Sequence, residues 1–279
     1  MTKSGGGEDI GKIYSKLPVN TTTTFKSLSL AGVVFAGTVS AIAVLGLTTA
    51  QPAAAVSFPG PDAFGYRATE IANNLRDISA SGTFLPLNDD AVSGAISLGF
   101  NFDFYGNTYS QVYVSSNGFL TFNPGSSNGC CNGQSLPNGS SNPSNLVAGF
   151  WNDLNNPQGN IRYQTTGSPG SQKFVVGFYN VPIFFDGPQV TFEMILHEGS
   201  NNIELQYGAA PNDGSSVTIG ITNNGSTDAL TLVNADFNLD VGVSNRGFLI
   251  TPIPEPSSGL GLLALGLLGA GAALKRHWN

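Results

Sequence analysis

The sequence predicts an all-β fold, an antiparallel β-sandwich of jelly-roll-like type, on three observations. Apolar residues take every second position over repeated stretches. These stretches are short and are separated by turns rich in Gly, Asn and Ser. Gly accounts for 36 of the 279 residues, while charged residues make up only 10% of the chain, a balance that favours turns over long amphipathic helices.

In chain order, residues 63–78 stand apart. Phe64, Ala68, Ile71, Leu75 and Ile78 are three or four apart, a spacing that allows a short helix and leaves the structure of this segment open. Ile96, Leu98, Phe100, Phe102 and Phe104 then alternate with Ser97, Gly99, Asn101 and Asp103. Strand side chains alternate faces, so one face of this strand is apolar and the other mostly polar. Val112 and Val114 are expected to pair with Phe119–Phe122 across Ser115-Ser116-Asn117-Gly118, because Asn-Gly supplies the positive φ angles of tight hairpins. Leu146–Trp151, Ile161–Thr165 and Phe174–Tyr179 come next as strands. Val190, Phe192, Met194 and Leu196 alternate, and a hairpin-length loop, 198–202, leads to Ile203, Leu205 and Tyr207. Val217, Ile219 and Ile221 alternate again, and Phe248–Ile250 closes the sheet. About ten such strands, each with one apolar face, need a second apolar layer, and two stacked sheets are the simplest solution. A closed barrel is the alternative.

The ends read as processing segments, which divides the chain into 1–55, 56–251 and 252–279. Lys3, Lys12, Lys16 and Lys26 precede an apolar run from about Leu30 to Leu47. Ala53-Ala54-Ala55 then has the A-x-A form that signal peptidase cleaves, with Ala53 and Ala55 as its small residues. An uncleaved anchor is the alternative, and either one translocates the domain behind it. At the far end, Pro254-Glu255-Pro256 leads into sixteen uncharged residues, 259–274, and then Lys275 and Arg276. As a helix that run spans about 24 Å against a bilayer core of about 30 Å. Snorkelling by Lys275 and Arg276, with Trp278 at the interface, narrows the gap and keeps the basic end cytoplasmic.

Pro-Glu-Pro, a short Gly/Leu/Ala-rich helix and a basic end together resemble the PEP-CTERM sorting tail. The resemblance implies an exosortase-type protease as partner, a Gram-negative exporter, and a surface or extracellular-matrix destination linked to exopolysaccharide. The middle of the chain also resembles a family. Residues 96–109, 112–122, Leu146-Val-Ala-Gly-Phe-Trp-Asn-Asp-Leu154, 159–163, 190–199 and 203–208 are similar to nidogen-like extracellular β domains of bacteria. That resemblance implies an accessory or adhesive module and carries over no catalytic residue.

Charge excludes one class of partner. Residues 56–251 hold 15 Asp/Glu and 5 Lys/Arg, a net charge of 5 − 15 = −10, and such a surface repels nucleic acid. Catalytic patterns are thin. Gly125-Ser126-Ser127-Asn128-Gly129 matches G-x-S-x-G in letters, but Pro124 before it and Cys130-Cys131 after it do not make the strand and helix that a nucleophile elbow needs. His197 is the one histidine ahead of the tail. It shares a strand face with Glu193, and a polar pair on the wet face of the sheet is expected there. Cys130 and Cys131 are adjacent. A vicinal bridge stiffening loop 123–145, two free or intermolecular thiols, and a redox pair all stay open.

Asn152, Asp153 and Asn155 lie at a strand end and offer the oxygen ligands that calcium prefers, with Asp186 and Asp213 as further surface carboxylates. Otherwise no cofactor is expected. Tyr105, Tyr109 and Tyr113 are candidates for stacking on a sugar. These features predict a non-enzymatic surface or matrix protein, adhesive or structural, with polysaccharide or other surface proteins as ligands. A secreted carbohydrate-active hydrolase using Asp153 and Glu193 is one alternative. An ice-binding protein is another, although no Thr-x-Thr ladder occurs in 56–251.

Overall fold

Two antiparallel sheets pack face to face in the computed structural model, which describes residues 60–140, 142–155, 159–238 and 241–253. The strands are β1 (Arg67–Ile71), β2 (Thr83–Phe84), β3 (Ile96–Phe104), β4 (Asn107–Ser115), β5 (Phe119–Thr121), β6 (Leu146–Trp151) and β7 (Asn160–Thr166). They continue with β8 (Lys173–Pro182), β9 (Gln189–His197), β10 (Ile203–Tyr207), β11 (Val217–Thr222), β12 (Ala229–Asp236) and β13 (Gly247–Thr251). One sheet has the order β1-β13-β10-β9-β8-β7-β2, the other β12-β11-β6-β5-β4-β3. The chain is therefore a sandwich rather than a barrel.

Jelly-roll order is not what the strands adopt. β3 to β6 run as one meander and β7 to β10 as another, each within its own sheet. Short hairpins such as β4–β5 and β9–β10 keep neighbours in sequence adjacent in space. The segment 63–78, left open by the sequence, takes no helix. Residues 67–71 form edge strand β1, paired with β13 from Arg67↔Thr251 to Ile71↔Gly247, and residues 72–78 run on without helix. The expected signal segment and tail helix lie outside the described residues, among which there is no membrane-crossing helix.

Alternation does what the sequence predicts in β3, whose residues are strictly buried and exposed in turn. Its inward residues join Phe150, Phe174, Phe178, Phe192 and Phe248 in one core between the sheets. Each such ring contributes roughly 1.5–3 kcal/mol on burial. The stack Phe178–Phe192 (4.6 Å between centroids) continues to Phe150 on the opposite sheet at 6.0 Å. Tyr207 is fully buried, yet its hydroxyl donates across the core to the Gly149 carbonyl at 2.6 Å, so its polar end is satisfied.

Neither outer face is simply wet. Loop 123–145 folds over the outside of β5 and β6, where Phe119, Leu136, Leu146, Ala148 and Trp151 form a second core. Trp151 Nε1 donates to the Gly129 carbonyl at 2.8 Å. Gly129, at φ +71°, lets the loop approach, because a Cβ there would sit 2.6 Å from the Phe119 ring. On the other sheet, residues 72–79 act as a strap across the outside of β8, β9 and β10.

Candidate functional site

Four loops meet around Asn117, at the β4–β5 turn. Its side chain is fully buried. The Nδ2 donates to Asp90 Oδ1 at 2.7 Å and to the Asn128 carbonyl at 3.3 Å, while Oδ1 accepts the Leu154 N–H at 3.1 Å. One amide thus joins segment 89–91, loop 123–145 and the turn after β6 to its own hairpin. The sequence marks Asn117 only as a turn residue. Of the pair it is Gly118 that takes the positive φ, +83°, while Asn117 works through its side chain.

These links bring Asp89, Asp90 and Asp153 together, with one carboxylate oxygen of each within 4.8 Å of the others. Burial, then the charges of Asp90, Asp89 and Asp213, pushes the Asp153 carboxyl up to about 6. Burial and the Asp90 charge also raise Asp89, whose Oδ1 is buried without a hydrogen-bond partner. Three hard oxygens of this kind suit a divalent cation, which would draw its other ligands from backbone or water.

Of the expected ligands, Asp153 is in this carboxylate cluster. Asn152 is fully buried and committed elsewhere: its Nδ2 donates to Asn212 at 3.2 Å, and its Oδ1 accepts from the Ser215 hydroxyl at 2.9 Å. Asn155 is tied through its backbone N–H to the Pro182 carbonyl. Asp213 accepts from Ser215, and Asp186 sits in the turn after Ile183 at φ +58°.

That turn adds an apolar tip. The Phe184 N–H donates to the Asp153 carbonyl at 2.9 Å, and Phe185, 90% exposed, adopts φ +59°. Positive φ is costly for an aromatic residue. The sulfurs of Cys130 and Cys131 lie side by side, next to Asp90.

The three raised or crowded carboxyls have a consequence for stability. The folded pKa of Asp153 lies above the ordinary value of about 3.9, so the native state holds that proton more tightly than the unfolded chain. Stability falls as pH rises from roughly 4 to about 6, and the penalty is complete above that window. Asp153→Asn should raise Tm at pH 7 by the equivalent of about 1 kcal/mol or less after solvent screening, and should flatten the slope below it. Calcium should raise the Tm of the unchanged protein more than that of the variant. Identical melts for both across pH and calcium would rule the repulsion out.

His197 and Glu193 do not form the expected wet pair. Both lie on the outer face, but the strap covers it. Glu193 is fully buried and accepts from the Arg76 N–H (2.7 Å), the Asp77 N–H (2.8 Å) and the Tyr179 hydroxyl (2.7 Å). His197 Nε2 lies 2.9 Å from Glu204 Oε2 instead. Burial opposes the charge of Glu204, but the hydrogen bonds from His197 and Gln206 and the Arg76 guanidinium outweigh it and hold the carboxyl down to about 2. Both Glu193 oxygens are thus taken, by the strap and by Tyr179. The G-x-S-x-G run lies in a loop without flanking strand or helix, where the Ser126 hydroxyl meets Ser127 and Asn142.

The three expected tyrosines are all at least partly buried. Tyr105 is 8% exposed, with its hydroxyl on Asp62 at 2.7 Å. Tyr109 packs on Phe122 and accepts from Asn145, and Tyr113 is partly buried within β4. The exposed ring in this neighbourhood is Phe64, resting on Tyr66 and Tyr105 at 5.6 and 5.2 Å.

The family model described as NIDO related matches residues 65–253, from just ahead of β1 to just past β13. The chain belongs to the NIDO-related family. The NIDO-related domain is followed by a match to the PEP-CTERM protein-sorting motif at residues 252–276, which takes in Pro254, Glu255, Pro256, Lys275 and Arg276. The motif makes this an exported protein whose tail an exosortase processes. No curated protein and no solved structure matches the chain.

Proposed function

We propose that this NIDO-related protein is a non-enzymatic adhesive component of the cell surface or extracellular matrix, delivered by signal peptidase and exosortase and binding polysaccharide or surface proteins. The observation that carries the reading is the junction at residue 252. The sorting motif begins one residue after β13 ends, so sorting acts directly on a β-sandwich whose loops are its exposed chemistry. The net charge of −10 over residues 56–251 suits solubility outside the cell. A bound calcium ion at Asp89, Asp90 and Asp153 would be part of that loop chemistry.

Fractionation of producing cells, with mass spectrometry of the termini, tests the delivery. The mature protein should start near Val56, end near Pro254-Glu255-Pro256 and appear at the surface or in the matrix. Replacing Pro254-Glu255-Pro256 with Ala-Ala-Ala should leave an uncut form in the inner membrane. An intact chain in the cytosol would defeat the proposal.

A further inference from the structure

We propose that a groove centred on Phe64 binds a neutral polysaccharide chain. This rests on the adhesive reading above and gives it a site. Two clefts, about 330 and about 350 Å³, share the Phe64 side chain as a common wall. Both fall at the small end of ligand clefts, roughly 300–1,000 Å³. One is lined by Tyr105, Asn107, Asn224 and Asp228, the other by Asp103, Thr108 and Asn201.

The ring is 42% exposed and its backbone is fixed beforehand. Asp228 accepts the N–H groups of Ala63 and Phe64 at 3.1 and 2.8 Å, and Asp62 accepts those of Gly65 and Tyr66 at 2.8 and 2.7 Å. Tyr66 and Tyr105 support the ring from within the domain. An apolar ring held in this way loses little freedom when a ligand covers it.

The chemistry of the two walls selects the ligand. A pyranose offers an apolar C–H face and a rim of hydroxyls. Phe64 fits the face. Asn107 uses its Nδ2 on the Tyr105 carbonyl, and Asn224 uses its Oδ1 on Asn123, so Asn107 Oδ1 and Asn224 Nδ2 are left to accept from and donate to hydroxyls. The two carboxylates are already occupied. Asp228 holds backbone N–H groups, and Asp103 accepts from Thr108 and Asn201. They therefore disfavour an anionic sugar without serving as metal ligands. A cleft on each side of one ring fits a chain that passes over it rather than a single sugar at its end.

The test uses the full chain in a detergent that carries no sugar, with a soluble neutral glucan and a polyuronate of matched length as probes. Calorimetric titration should show the glucan binding more tightly than the polyuronate. Phe64→Ala should weaken glucan binding about tenfold or more, the scale of one lost aromatic contact, and Phe64→Trp should retain it. Asn224→Asp keeps the acceptor for Asn123 but removes the donor, and should also weaken binding. Thermal melts identify any variant that has lost its fold, and Asn224→Asp then decides. Glucan binding unchanged in both Phe64→Ala and Asn224→Asp would overturn the groove and leave the adhesive reading standing. Tighter binding of the polyuronate would overturn the assignment of a neutral ligand. Binding of neither probe by the unchanged protein would count against the polysaccharide reading itself.

Discussion

Glu193→Ala should destabilise the sandwich by about 3 kcal/mol and release the strap. The substitution removes the acceptor for three donors at once, the N–H groups of Arg76 and Asp77 and the Tyr179 hydroxyl. A buried donor left without a partner costs about 1–3 kcal/mol. The strap can swing outward and let water in, which keeps the total below the sum of three such costs. Glu193→Gln should fall between the two proteins, because its amide still offers one acceptor but turns a donor toward the strap. Urea melts measure the loss. Limited trypsin digestion locates it, since Arg76 lies in the strap and should become a cleavage point in the variant while the rest of the domain holds. If Glu193→Ala melts with the unchanged protein and resists trypsin equally, the carboxylate is not what fastens the strap.

Gly118→Ala should do more harm for one methyl group. Gly118 takes φ +83°, and a Cβ there would stand 2.0 Å from the Phe150 carbonyl oxygen and 3.2 Å from Leu154. The two segments are also hydrogen-bonded to each other: the Gly149 and Phe150 N–H groups both donate to the Gly118 carbonyl at 3.0 and 3.1 Å. Neither backbone can yield without parting β5 from β6 and disturbing Asn117. A loss above about 4 kcal/mol, or failure to fold, is expected. Gly125→Ala supplies the comparison. Gly125 also has positive φ, +68°, but nothing lies within 4 Å of its Cβ position, so it should cost only about 1–2 kcal/mol. Equal losses at the two sites would mean that backbone conformation, not collision, governs both.

What the sequence makes legible is whatever one strand decides alone. β3 alternates because Phe100, Phe102 and Phe104 face a core that spans the whole strand. β12 is harder to see. Register shifts against β11 put Leu230 and Val233 inward, three residues apart, and that breaks the period of two on which strand recognition depends. At residues 63–78 the helical spacing is coincidental, since its apolar members serve different ends. Phe64 is exposed, whereas Ile78 packs from the strap onto Val175, Tyr179 and Ile195.

The candidate site is less legible still. Asp153 stands out as an acid at a strand end, but its partners Asp89 and Asp90 come from more than sixty positions earlier and are brought in by Asn117. A wet outer face is the natural expectation for alternating polar residues. The strap that instead buries Glu193, Glu204 and Gln206 is a tertiary event that no local pattern records.

The position of β13 sets an order of assembly. This strand lies between β1 and β10, so the first and last strands of the domain are partners, and a long closure must be completed before either is paired on that side. Until Thr251 has cleared the export channel, β10 has no neighbour there and β1 has nothing to pair with. Pairing the first strand with the last is thus a closure over nearly the whole domain, made only once its final residues are present.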